Sequence, residues 1–365
     1  MRALVVVVAI LGCRSSSSPP PAPAPVPPAA PVVAAPPSCP RDLGQLQPAR
    51  GAPVEPRRPT HTYSIVARDP VTGDLGVAVQ SHWFAVGAGV TWAASGVGAI
   101  ATQSFAEPAY GRKGLERMTA GASAPDALAA LLAEDGKRDV RQVAFVDAQG
   151  RVAAHTGAAN IAFAGHHLGA GYSVQANLMA NDQVVPAMAR AYEGATGDLA
   201  ARMLAALAAA QAAGGDVRGC QSAAMLIVAG ARSAEPSHDT RVDLRVDDAA
   251  DPIAELTRLL ALQRVYDHMN AGDRAVEQGD VAGARDHYGA AAAAAPGLAE
   301  VRYWQAVGLA TAGDLDGSLP IFRGLFAEDG RWIEVTRRIQ PAVVPATPAG
   351  DALIEKILAV RPSSP

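Results

Sequence analysis

Three hydroxyls draw attention first: Thr62 at the head of a β-branched run, Ser81, and Ser104. Each lies beside one of four short runs of β-branched and small apolar residues, at 63–67, 75–79, 85–92 and 97–102. Turn chemistry at Asp69-Pro70, Thr72-Gly73-Asp74 and Ser95-Gly96 separates the runs. An antiparallel meander of even strands brings the start of the first, the end of the second and the end of the fourth to one sheet edge. Thr62, Ser81 and Ser104 then converge, with Gln80, His82 and Gln103 beside them. A hydroxyl so placed can attack a carbonyl if a base takes its proton and donors hold the developing oxyanion.

Two other chemistries fail on inspection. A triad of Ser104, His155 and Asp147 lacks the G-x-S-x-G elbow, which surrounds no serine in the chain. His166-His167 are neighbours, and neighbours on a strand point to opposite faces and cannot easily share one ion. They read as solvent-facing loop residues, and neither a metal nor a cofactor is expected.

The remaining elements follow from periodicity. Alternation puts Tyr63, Ile65 and Ala67 on one face of the first strand and Ser64, Val66 and Arg68 on the other. Residues 111–135 read as a helix pair broken near Gly121, with Ser123-Ala124-Pro125-Asp126 as a fresh N-cap. A hairpin of 142–147 and 151–156 turns at Ala148-Gln149-Gly150 and opens a second sheet. A strand at 171–177, an alanine-rich helix at 184–213 interrupted near 194–197, and strands at 222–228 and 242–246 come next. A helix capped by Asp251 runs over 252–269. Asp239, Arg241, Asp243, Arg245 and Asp247 alternate in sign, as on an edge strand guarded by charge. Strands and helices in this order make an α+β fold.

A chain of 365 residues has room for two domains. Its 49% hydrophobic content holds only 5% aromatics, so the core is built from small side chains. The net charge of −4, with no long basic run and no aromatics among clustered arginines, excludes nucleic acid as an expected partner. Residues 1–13 carry one arginine, an apolar run and Ile10-Leu11-Gly12-Cys13, a pattern similar to a bacterial lipoprotein signal with Cys13 as the acylated residue. The run is too short to span a bilayer, so membrane contact is expected only through the lipid. Residues 13–60 form an extended Pro/Ala-rich tether. Cys39 lies in that tether, and Cys220 reads as a small buried hydrophobe.

The C-terminal third repeats itself. Gly279-Asp280 recurs as Gly313-Asp314 and Tyr288 as Phe322, 34 residues on, the period of a tetratricopeptide helix pair. Expected boundaries are therefore 1–12 (signal), 13–60 (tether), 61–250 (α+β domain), 251–340 (helical segment) and 341–365 (tail).

The stretches TYSIVARDPVTGDLGVAVQSHWFAVGA and GVGAIATQSFAEPAYG are followed by RQVAFVDAQGRVAAHTG, GYSVQANLMA, CQSAAMLIV and RVDLRVDDAADPIAELTRLL. Together they resemble the domain-of-unknown-function 1028 family, placed in the N-terminal-nucleophile (Ntn) hydrolase superfamily. The resemblance implies a four-layer αββα sandwich and hydrolysis of a small or cell-wall-derived amide. Thr62 would be the nucleophile, with its own α-amine as base. It also implies that Ser81 orients Thr62, that the end of the fourth strand, Gln103 and Ser104, supplies an oxyanion donor, and that Asn177 supplies a second. No lysine stands at the third-strand position where proteasome-like members carry one. Since 61 residues precede Thr62, its amine is free only if the His61–Thr62 bond is cut, which would also release the domain from its anchor. In this family the segment similar to LDGSLPIFRGLFAEDGRWIEVTRRIQPA is identified as peptidoglycan-binding. The competing expectation is a non-catalytic cell-envelope protein that uses the same fold and helical repeat to bind peptidoglycan, a protein partner or a second copy of itself.

Overall fold

The computed structural model describes Thr60 and residues 62–362. The export signal, the acylation of Cys13, Cys39, the tether up to residue 59, and His61 lie outside the described residues.

The chain opens with the expected hairpin: β1 (Thr62–Arg68) and β2 (Leu75–Ser81) pair with Thr62 opposite Ser81 and Arg68 opposite Leu75. Asp69 closes its turn by accepting from the N–H groups of Val71 (2.8 Å) and Thr72 (3.0 Å). The third run is not a strand throughout. Ala85 adopts a positive φ of 51°, and one helical turn, α1 (Gly87–Val90), precedes a short β3 (Thr91–Ala94). Alternation could not expose this, because the run of alanine, glycine and valine satisfies either period. Packing decides it, since a Cβ on Gly87 would stand 2.5 Å from the Cβ of Ala224.

The chain continues through β4 (Gly98–Ser104), α2 (Ala109–Thr119) and α3 (Ala124–Glu134), the last capped by Ser123 as expected. Four strands follow: β5 (Arg141–Asp147), β6 (Val152–Thr156), β7 (Gly165–Gly169) and β8 (Tyr172–Ala176). Then come α4 (Val184–Gly194), α5 (Leu199–Ala212), β9 (Ser222–Val228) and β10 (Thr240–Val246). The helical remainder is α6 (Pro252–Glu277), α7 (Val281–Ala294), α8 (Ala299–Thr311), α9 (Leu315–Glu328), α10 (Arg331–Arg338) and α11 (Pro348–Leu358).

Two antiparallel sheets result, one in the order β10-β9-β2-β1-β8-β7 and the other β3-β4-β5-β6. The four-run meander is thus split: the first hairpin belongs to the larger sheet, and the chain crosses at α1 to begin the smaller one with β3, well before the β5–β6 hairpin. The pattern within a strand tells which face is apolar but not which partner covers it. β10, with its alternating charges, is an edge strand.

Three apolar clusters hold these parts together. Ile65, Met188, Met203, Leu207, Met225 and Leu256 pack α4, α5 and the first half of α6 against the larger sheet. Ile100, Met118, Leu128 and Phe145 pack α2 and α3 against the smaller one. Val66, Val77 and Val79 meet Ala99, Ala144 and Val146 between the two sheets. Close approach is bought with small residues: a Cβ on Gly114 of α2 would lie 2.5 Å from the Phe145 ring. The 26-residue α6, capped by Asp251, leaves the sheet halfway along and joins α7 and α8 through Val265 and Met269. In the internal repeat, Asp280 caps α7 and Asp314 caps α9, while Tyr288 and Phe322 are the buried aromatics at matching places. Among the described residues no helix is long and apolar enough to cross a membrane.

Candidate active site

The face of β1 that carries Val66 into the space between the sheets carries Ser64 and Thr62 at its other end. Its neighbours change character in the same direction: Val79 gives way to Ser81, Ala101 to Gln103, and Ala144 to Gln142. One end of the inter-sheet space is therefore apolar, and the other is lined by hydroxyls and carboxamides.

Thr62 is fully buried. Its hydroxyl donates to the Thr60 carbonyl at 2.8 Å and stands 3.4 Å from Ser81 Oγ. Ser104, at a positive φ of 66°, forms a two-bond antiparallel bridge with Thr60. Its N–H donates to the Thr60 carbonyl at 2.9 Å, and its carbonyl accepts from the Thr60 N–H at 2.6 Å. One carbonyl oxygen thus accepts from both the Thr62 hydroxyl and the Ser104 amide. The Thr62 carbonyl accepts from the Asn177 N–H at 3.1 Å and from Gln103 Nε2 at 3.3 Å. All five residues expected at the site are gathered here, although Ser81 and Ser104 reach it from different sheets rather than along one edge.

Behind Thr62 runs a continuous line of buried amides. Ser173 Oγ donates to Gln175 Oε1, Gln175 Nε2 to Ser64 Oγ at 2.6 Å, and Ser64 Oγ to Gln103 Oε1 at 2.5 Å. Gln103 Nε2 donates to Gln142 Oε1 at 2.7 Å, which also accepts from Asn177 Nδ2 at 2.8 Å. Gln142 Nε2 in turn reaches the Ala176 carbonyl at 2.9 Å and Thr156 Oγ1 at 3.0 Å. Gln142, Gln175 and Thr156 were not expected at the site. For Gln142 a signal was present, a glutamine inside an otherwise apolar strand and in phase with Ala144 and Val146; Gln175, in phase only with Ser173, carries no such signal.

Next to Ser104, the nearly buried Arg141 donates to the Phe105 carbonyl at 2.6 Å and to Asp135 at 2.9 Å. Burial by itself raises the Asp135 carboxyl, but Arg141, the Lys137 N–H and the Tyr110 hydroxyl outweigh it and hold Asp135 below the usual carboxylate range. Burial and the Asp135 charge push the Tyr110 phenol up.

Other candidates stand apart. Ser104 pairs with Arg141 and Asp147 with Gly98, at opposite ends of the β4–β5 ladder, so they share no triad with His155. His155 Nε2 instead contacts the Arg138 carbonyl at 2.9 Å. His166 and His167 are exposed, but they belong to the edge strand β7 rather than to a loop, whose five residues have too few apolar positions to announce it. Among the described residues no group of three or more His, Cys, Asp or Glu side chains could hold a metal. Cys220 is half-buried rather than part of the core, and its thiol contacts the Ala250 carbonyl at 3.2 Å. Three surface cavities have volumes of about 640, 630 and 310 Å³; the first lies against β10 and α6, the second beside Asp198 and Arg241, the third against α6 and α8. Thr62 lines none of these three.

A crystal structure of a protein from Silicibacter pomeroyi, described as family-model DUF1028, is similar to this chain at 31% sequence identity. The similarity covers 55% of this chain and 88% of that one, with a TM-score of 0.49. No curated protein matches the sequence. The model of a family of unknown function, DUF1028, matches residues 62–256, more than half of the chain, and the chain belongs to that family.

Proposed function

We propose that the protein is an amidohydrolase of the N-terminal-nucleophile type, exported, held at the cell envelope through a lipid on Cys13, and activated by a cut between His61 and Thr62. The two face-to-face sheets with helices outside are read as the αββα sandwich of that superfamily. The observation that carries the proposal is the carbonyl of Thr60, which accepts from the Thr62 hydroxyl at 2.8 Å and from the Ser104 N–H at 2.9 Å. A hydroxyl and an amide N–H thus stand around one carbonyl oxygen; the N–H is where an oxyanion donor must be, and the hydroxyl oxygen has only to turn from that oxygen to the adjoining carbon to attack. Once the Thr62 nitrogen is a free amine, it takes the proton of its own hydroxyl as Oγ1 bonds to the substrate carbonyl carbon. The Ser104 N–H steadies the oxyanion, Asn177 is the second candidate donor, and Ser81 Oγ fixes the hydroxyl. The amine proton passes to the leaving nitrogen as the C–N bond breaks, and water then hydrolyses the threonyl ester. Removal of a donor of this kind costs about 3–4 kcal/mol of transition-state stabilisation. The test is intact-mass measurement of the protein isolated from its native cells, from the membrane fraction and from the released, soluble fraction. A chain that begins at Thr62 is expected, and a His61–Thr62 bond that stays whole in every preparation overturns the proposal.

A second reading has its own observation. The 310 Å³ cavity between α6 and α8 is walled by Trp304 and Tyr266, with Asn270, Asp273 and Glu300 around them. An aromatic wall ringed by polar groups suits a sugar face, and this reading makes the segment a tetratricopeptide-like binder of peptidoglycan. Co-sedimentation with insoluble peptidoglycan tests it, and Trp304→Ala is expected to abolish the retention.

A further inference from the structure

We propose that the site takes an α-aminoacyl amide, the acyl unit of an extended peptide, as an added strand on the end of β4, and that Thr60 occupies that slot in the uncut chain. The proposal rests on Thr62 as the nucleophile.

The slot is a feature of the sheet. β5 pairs with β4 along its whole length, from Gly98 to Ser104. β3, on the other side, stops with Thr91 opposite Ala101 and leaves the last three residues of β4 with an open edge. Thr60 fills it. The N–H and C=O of Ser104 both face this one residue, as in a hydrogen-bonded antiparallel pair, and both are used. Added strands bind through such main-chain pairs and gain specificity from flanking side chains.

The bonding pattern selects a chemical class. Ser104 N–H needs a carbonyl oxygen, and Ser104 C=O needs an N–H on the same residue, two bonds away along the ligand chain. A unit of the form –NH–CHR–C(=O)– supplies both; a simple acyl amide supplies only the carbonyl. The carbonyl that meets Ser104 is also the one to whose oxygen the Thr62 hydroxyl donates at 2.8 Å, so the group that is read lies beside the proposed nucleophile. Until residues 1–61 leave, the same two bonds hold a non-scissile carbonyl at the site, and the uncut chain is its own competitor.

The test uses the full chain with a specific protease site built ahead of Thr62, so that one cut exposes its amine and both pieces remain. A small β-lactone, which needs no strand pairing, reports the nucleophile by a mass shift on Thr62. N-acetyl-threonine 4-nitroanilide and its N-methylated analogue, which cannot donate to Ser104, report the slot. A fluorescent peptide of residues 55–60, with and without N-methylation at the position of Thr60, reports binding alone, by anisotropy after the cut piece is removed. The expected results are labelling only after the cut, and about a tenfold or greater loss of turnover and of peptide binding on N-methylation, as one hydrogen bond of this kind supplies. If Thr62 labels but N-methylation changes neither turnover nor binding, the slot is overturned and the nucleophile stands. If Thr62 does not label yet the unmethylated peptide binds tenfold better, the nucleophile falls and the slot survives as a peptide-binding groove. Absence of both effects overturns both.

Discussion

The two ends of the inter-sheet space are built on the same strands and differ in almost every side chain. At one end Val66, Leu75, Val77, Val79, Ala99 and Val146 pack without a polar atom among them. At the other, Thr62, Ser64, Ser81, Gln103, Gln142 and Gln175 are just as buried and bond to one another. An apolar core is the cheaper way to join two sheets, because every buried carboxamide must recover the hydrogen bonds it gave up to water. A polar end therefore implies a need that packing does not meet: to fix the direction of individual donors and acceptors around the Thr62 hydroxyl.

The largest expected effect separates the ends by function. If Thr62 is the nucleophile as proposed, Thr62→Ala in the cut protein removes the group that carries the acyl intermediate and should lower amide hydrolysis by at least about 1,000-fold, while the melting temperature barely moves. Thr62→Ser should retain part of the rate. Equal activity of the alanine variant in a progress-curve assay would erase the functional distinction between the ends.

A matched pair of substitutions compares them by stability. Leu75→Met at the apolar end conserves volume and should cost under about 1.5 kcal/mol. Gln142→Met is as conservative in size, but it removes the acceptor of Gln103 Nε2 and Asn177 Nδ2 and the donor to the Ala176 carbonyl, so a loss of about 2–5 kcal/mol is expected. Urea unfolding measures both. Similar costs would mean that the amide line is filled by water as readily as by glutamine.

How far this contrast could be read beforehand depends on where its information resides. The β1–β2 hairpin and the caps at Ser123 and Asp251 are local, a few residues each, and they stand as the residues spell them. The meeting of Thr62, Ser81 and Ser104 was legible too, though for a reason that fails: their strands share no single edge, and the meeting is made across two sheets. What was hidden depends on partners remote in sequence. Gln142 and Gln175 look like solvent-facing residues until a second sheet closes over them. β7 has two histidines between glycines and becomes a strand only because β8 offers it an edge.

Gln80 offers a smaller effect on the far side of the same strand. It alternates with Val79 and Ser81 and so leaves the inter-sheet space; it is fully buried, and neither its Oε1 nor its Nε2 has a hydrogen-bond partner. Gln80→Met should relieve this and raise stability by about 1 kcal/mol, the reverse of the same change at Gln142. A destabilised Gln80→Met would show that the carboxamide is satisfied in solution.

The smallest effect concerns the charges that clamp the two ends. Asp69, in the turn at the apolar end, is raised by burial but held below the usual carboxylate range by the N–H groups of Thr72 and Val71 and by Arg202. Asp135, at the polar end, is held low chiefly by its hydrogen bond from Arg141. For a carboxyl depressed in the folded state, the added stability is complete above the unfolded pKa of about 4 and is lost as pH falls through the lower folded value. Both clamps should therefore weaken below about pH 4. At neutral pH Asp135→Asn should cost more than Asp69→Asn, because the Arg141 side chain left behind is 4% exposed and the Arg202 side chain 16%. Urea midpoints measured from pH 7 to pH 3 should fall for the wild type and flatten for each variant. If Asp69→Asn proves the costlier, the apolar end depends on its charge more than the polar end does, and the contrast between the two ends has to be redrawn.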